Sequence, residues 1–218
     1  MAPPADPASL TSRLVRRALH RAGPRLVEAT LRARADQLAD RAALAAWARA
    51  YGHDLLVFHR VDLDVRCALL DPRTGDELRR TMTVEHDELA GAAREAERAL
   101  EGWAVGTADG RGALAAVRAQ LDDLVVHDAH EIAAVARALE VVPGRSGGSS
   151  GSSGSDDVVD ALLRAPLTDP PFLGPLTLAD ADPLERHALL ATLPPPLLAR
   201  WTGAEAAHAE TTRRAMGA

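Results

Sequence analysis

The sequence predicts an α+β fold in which helix predominates, and three observations carry that expectation. Val61–Leu69 and Glu77–Val84 alternate apolar and polar residues on either side of a turn. Four other stretches repeat apolar residues every three to four positions. A run of Gly and Ser, GRSGGSSGSSGS at residues 144–155, divides the chain. The expected order is N-terminal helices, a central antiparallel β-hairpin of two or three strands and two further helices over 1–143. A flexible linker over 144–155 and a small, Pro-interrupted, all-helical module over 156–218 follow.

The first helix is expected over Ser9–Ala22, where Leu10, Leu14 and Ala18 recur every four residues, and the second over Arg25–Ala50. Gly23-Pro24 between them suits a helix end followed by a fresh first turn. In the hairpin, Asp71-Pro-Arg-Thr-Gly-Asp76 has Pro72 for a type I turn and Gly75 for the positive φ that closes such a loop. Pairing Asp71 with Asp76 sets Val65 opposite Met82 and Leu69 opposite Leu78, so the apolar faces coincide. Leu55–His59 reads as a third strand or a bent extension of the first. Such a hairpin is not stable alone, so its apolar face must lie on the helices or on a second copy of the chain, which makes a homo-oligomer one outcome.

Two helices complete this half, Glu85–Glu101 and Ala113–Val141. In the latter Leu114, Val117, Leu121, Leu124, Val125, Ile132, Val135 and Leu139 fall within an arc of about 100° at roughly 100° per residue. Beyond the linker, Asp157–Arg164 reads as a short helix. Asp182-Pro-Leu-Glu185 reads as a capping box opening a helix that Pro194–Pro196 ends, with Leu197–Trp201 and Ala204–Met216 helical after it.

Composition narrows the function classes. All 25 basic residues are arginine, no Lys or Asn occurs, and Ala fills 45 positions, a bias that points to a GC-rich bacterial genome and weakens arginine content as a functional signal. A net charge of −6 argues against a general nucleic-acid coat. The single Cys67 forms no intrachain disulfide, so a cytoplasmic, reducing setting is expected. No stretch reads as a signal peptide or a membrane span.

Charge is uneven along the chain. Residues 9–50 hold nine arginines against three acids, a balance of +6, and residues 51–145 hold 18 acids against 11 arginines, a balance of −7, so the two stretches attract. Arg13, Arg16, Arg17 and Arg21 on the first helix are candidates for binding nucleic acid or an anionic surface. In the tail, Trp201 with Leu193, Leu197 and Leu198 are candidates for contacting a partner protein.

The densest set of ligand-type side chains is Asp122–Glu131, DDLVVHDAHE. His127, His130 and Glu131 are the metal candidates, being three and four apart on one helical face, but that face points away from the apolar arc and therefore toward water. Asp128 falls inside the arc, where a carboxylate must be paired, be protonated or be exposed at an interface; a structural salt bridge is the leading reading, and Arg80, inward on the hairpin, is the expected partner. No P-loop, nucleophile elbow or dinucleotide fingerprint is present, so no catalytic residue and no cofactor is assigned. The leading expectation is a non-enzymatic adaptor that binds a partner protein through its tethered tail. Anion binding comes second, and a metal-dependent enzyme at His127, His130 and Glu131 third.

Overall fold

The structure, a computed structural model, describes residues 7–33, 38–140 and 153–217, with side chains from residue 10, 40 and 159 onward in the three stretches and to residue 138 in the second. These residues form eight helices and, among them, no strand: α1 Pro7–Arg32, α2 Leu38–Ala68, α3 Pro72–Ala104, α4 Gly110–Glu140, α5 Ser153–Arg164, α6 Leu173–Asp180, α7 Pro183–Thr192 and α8 Pro195–Met216. The fold is all-helical, which corrects the α+β expectation.

Both predicted strands of the hairpin are helix. Val61–Leu69 belongs almost wholly to α2, and Glu77–Val84 lies inside α3. The period of two along Val61–Leu69 is a coincidence of composition. The residues buried there are Leu55, Phe58, His59, Asp62, Leu63 and Cys67 of α2 and Leu70 just beyond its end, spaced by three and four, while Leu69 is 42% exposed. Because His59 and Asp62 sit on the core-facing stripe, the helical pattern is polar where a core should be apolar. The expected turn is a helix start: the Asp71 carboxylate accepts the Thr74 N–H at 3.1 Å, and Pro72 takes the first helical position. At Gly75 a Cβ would stand 2.7 Å from the Cys67 carbonyl oxygen, so only glycine lets α3 begin so close to the end of α2.

The expected break at Gly23-Pro24 is also absent, and α1 runs through both residues. Pro24 is exposed, and Gly23 is buried where a Cβ would lie 2.6 Å from Leu121 Cδ1, so the pair serves a close approach of α1 to α4. The capping box holds: Asp182 accepts the Leu184 and Glu185 N–H groups, and Glu185 accepts the Asp182 N–H. The three prolines start α8, which continues unbroken to Met216.

Residues 144–152 of the Gly/Ser segment lie outside the described residues, and Ser153–Ser155 open α5. One apolar cluster contains Leu14, Trp47 and Phe58 together with Leu162, Phe172, Leu189, Leu197 and Trp201. Residues from both sides of the Gly/Ser segment therefore share it. Asp54 of α2, fully buried, accepts N–H groups from Thr168 and Leu173 at 2.9 Å each and so ties the start of α6 to α2. Gly174 meets Trp201 so closely that a Cβ would be 2.2 Å from the indole.

A second, smaller apolar cluster, Leu63, Cys67, Leu70, Leu78, Met82 and Val135, joins α2, α3 and α4. Following each helix along its buried stripe, a polar level separates the two clusters. It comprises His59 and Asp62 between Phe58 and Leu63, His86 between Leu89 and Met82, and His127, Asp128 and Glu131 between Leu124 and Val135. No described helix is long and apolar enough to cross a membrane.

Candidate metal centre

On α4 the buried positions are Ala113, Val117, Gln120, Leu124, His127, Asp128, Glu131 and Val135, spaced by three and four. The expected apolar arc was set one sector too far round, since Val125 and Ile132 are 51% and 53% exposed. The expected arc follows the large apolar residues of α4, whereas the stripe that meets α1, α2 and α3 is half polar. Of the three metal candidates, His127 and Glu131 are therefore in the interior, and His130 is exposed.

Helix α2 brings His59 to the same level and α3 brings His86. One ligand atom from each of His59, His86, His127 and Glu131 can be chosen so that all four lie within 4.8 Å of one another. The ring centroids of His86 and His127 are 4.8 Å apart, and those of His59 and His127 are 5.0 Å apart. Nε2 of His86 and Nε2 of His127 are both buried and have no hydrogen-bond partner. His127 Nε2 stands 3.3 Å from Glu131 Oε2 without being aligned to donate to it. Its Nδ1–H donates to Glu85 Oε2 at 3.2 Å, which fixes the ring so that Nε2 faces inward. His59 Nδ1–H donates to Glu131 Oε2 at 3.1 Å.

Electrostatics prepare these groups unequally. Burial, reinforced by the neighbouring imidazoles of His127 and His59, pushes His86 down to about 4, so it is neutral with a free lone pair. Burial pushes His127 down as well, but Glu131 and Glu85 outweigh it and raise it above the usual histidine range. For Glu131 burial works against the charge, yet the nearby imidazole of His127, the hydrogen bond from His59 and the charge on Arg16 prevail and hold its carboxyl well below the usual carboxylate range.

Behind Glu131 lies a dense ion-paired group. The Arg16 guanidinium reaches Asp62 Oδ2 at 2.8 Å, Glu131 Oε1 at 3.1 Å and Asp128. His20 also bonds Asp128, Ser12 donates to Asp62 at 2.7 Å, and Arg66 donates to Asp62 Oδ2 at 2.8 Å. Asp128 is thus paired as a buried carboxylate must be, but with Arg16 and His20; the expected partner, Arg80, is exposed on α3. On the other side a cavity of about 470 Å³ opens between α3 and α4, lined by Glu85, Glu88, Leu89, Asp123, Val126, His127 and His130.

The other predicted site residues are placed as follows. Arg16 is engaged as described. Arg17 grips Glu185 with both terminal nitrogens, at 2.8 and 2.6 Å, and Asp180 at 2.9 Å. Arg21 also reaches Asp180, at 3.1 Å, and Arg13 is exposed. In the tail Leu193, Leu197 and Trp201 are buried in the large apolar cluster, and Leu198 packs half-buried against it. His59 and His86 escaped sequence reasoning because no motif links residues 59, 86 and 127. A signal was nevertheless available: on a helical wheel each of the three histidines replaces a core residue on its own helix.

No protein family, no curated protein and no solved structure matches this chain, so its function is argued from the site itself.

Proposed function

We propose that this chain is a metal-binding helical protein that holds a divalent first-row transition ion through His59, His86, His127 and Glu131. Three imidazoles and one carboxylate form a donor set suited to borderline ions such as zinc, iron(II) or cobalt(II) and ill suited to calcium or magnesium. The observation that carries the reading is the pair of unpartnered, buried imidazole nitrogens on His86 and His127 beside an ionised carboxylate. A buried polar atom with no partner costs free energy, and an ion would satisfy both nitrogens at once.

Charge counting agrees. Asp62, Asp128 and Glu131 outnumber the guanidiniums of Arg16 and Arg66, and a divalent ion that takes the place of the proton held by His127 adds only one net positive charge to this interior. The Glu85–His127 hydrogen bond supports the same assignment, because a carboxylate behind a histidine fixes the tautomer that ligation requires. Ligand atoms within 4.8 Å must close by at most about 1.4 Å to reach the ~3.4 Å spacing of a tetrahedral site with bonds near 2.1 Å, a movement within the reach of imidazole rotation. The single Cys67 suits a reducing cytoplasm as the setting.

The test is elemental analysis of protein purified without chelator, followed by removal and return of the metal. The expected result is stoichiometric zinc, iron or cobalt that is lost from His86→Ala and His127→Ala. Protein that stays free of metal after incubation with each ion would overturn the reading.

A further inference from the structure

The ion-paired group behind Glu131 is more than a salt bridge, because three carboxylates converge on one guanidinium. We propose that Arg16 occupies a second cation position next to the metal centre, so that the chain takes up one metal ion where its acidic side chains would otherwise hold two. The proposal rests on the metal reading above and deepens it.

The geometry is that of a cation site with the cation already in place. Asp62 comes from α2 and Asp128 and Glu131 from α4, all three are nearly or fully buried, and each directs one oxygen at the guanidinium. Glu131 is divided between two positions: Oε1 faces Arg16 at 3.1 Å, while Oε2 faces His59 at 3.1 Å and His127 at 3.3 Å. It therefore bridges the metal position and the guanidinium position as a carboxylate bridges two cations. Imidazole nitrogen is also at hand, since His20 bonds Asp128 and His59 Nε2 lies 3.7 Å from it. Three carboxylate oxygens and an imidazole would suit a divalent ion. The guanidinium is planar and permanently charged, and its fork satisfies all three acids without requiring any of them to lose or gain a proton.

Two consequences follow. Without Arg16 the three carboxylate oxygens that face the guanidinium lose their shared cation and are left as free ligands that a second divalent ion would take. With Arg16 present, a second ion finds its ligands taken and a fixed positive charge in its place.

The experiment is a cobalt(II) titration of metal-free wild type, Arg16→Gln and Arg16→Lys, followed by visible absorption and by the cobalt-to-protein ratio after desalting. The expected ratios are one for wild type, two for Arg16→Gln, and one for Arg16→Lys, which keeps a cation at the position. A wild-type ratio of two, or an Arg16→Gln chain that folds, binds the first ion and stops at one, overturns the proposal while leaving the metal reading intact. A wild type that binds no cobalt removes both. If Arg16→Gln is unfolded without metal, refolding it with excess cobalt decides the matter: recovery at two ions per chain supports the proposal, and recovery at one or failure to recover overturns it.

Discussion

Replacing Glu131 by Gln isolates what the buried carboxylate does. Glu131 is fully buried, and its two oxygens serve Arg16, His59 and His127 at 3.1, 3.1 and 3.3 Å. Glutamine conserves the volume, so no cavity opens, but it removes one charge and aims an NH2 at groups that are themselves donors. Breaking a buried ion pair by changing one partner costs about 3–5 kcal/mol. Arg16 keeps Asp62 and Asp128, which places this case near 3 kcal/mol. For a domain of this size each kcal/mol moves the melting temperature by about 2–4 °C, so metal-free Glu131→Gln should melt about 6–12 °C below wild type in far-UV circular dichroism. His86→Ala is the contrasting variant. Its Nε2 has no hydrogen bond to lose, so metal-free melting should move less, whereas cobalt(II) affinity should drop by at least the ~10–100-fold that even outer ligand-supporting groups cost. A Glu131→Gln melting temperature within about 2 °C of wild type would refute the reasoning, because Arg16, His59 and His127 would then not depend on this carboxylate.

Three further outcomes are expected. Gly174→Ala places a methyl group 2.2 Å from the Trp201 ring, and overpacking of this kind costs about 1–3 kcal/mol, read as a lower midpoint in urea with an unchanged slope. Asp54→Ala strips Thr168 and Leu173 of the acceptor for their N–H groups, leaves buried donors unpaired at about 1–3 kcal/mol, and should raise hydrogen exchange at the start of α6. Arg17 holds the Glu185 carboxyl down at about 2, below its ordinary 4.5, so the contact's stabilisation is complete above pH 4.5 and is lost as pH falls toward 2. The stability difference between wild type and Arg17→Met should accordingly be constant above pH 5 and shrink below it in denaturant titrations, and a difference independent of pH would count against the pairing.

Much of the helical framework was legible in the sequence, and the capping box at Asp182 was legible in detail, because local chemistry sets a helix start. What misled was the core itself. Between residues 55 and 70 the buried stripe of α2 includes His59 and Asp62, and with those removed from the apolar count the remaining Val61, Leu63, Val65 and Leu69 imitate a strand. On α4 the same substitution turned the arc toward Val125 and Ile132 and sent His127 and Glu131 to the solvent side. Both errors have one physical source: hydrophobic periodicity presumes that what is buried is apolar, and here four helices place polar or charged groups at core-facing positions. The partner of Asp128 was missed for a related reason, since Arg16 was assigned to a surface patch on the strength of its arginine neighbours. The acidic stretch does attract the basic one, as the charge balance predicts, but both acids that Arg17 grips, Asp180 and Glu185, lie in the tail outside that stretch.

The grip of Arg17 on Asp180 and Glu185 spans 163 and 168 positions of chain. During synthesis at about 5–20 residues per second, Arg17 is added to the chain roughly 8–33 s before Asp180. Throughout that interval Leu14, Leu19 and Leu26 lack the apolar neighbours that α5 and α6 later supply, which leaves the nascent chain exposed to chaperones and proteases until its final quarter is translated.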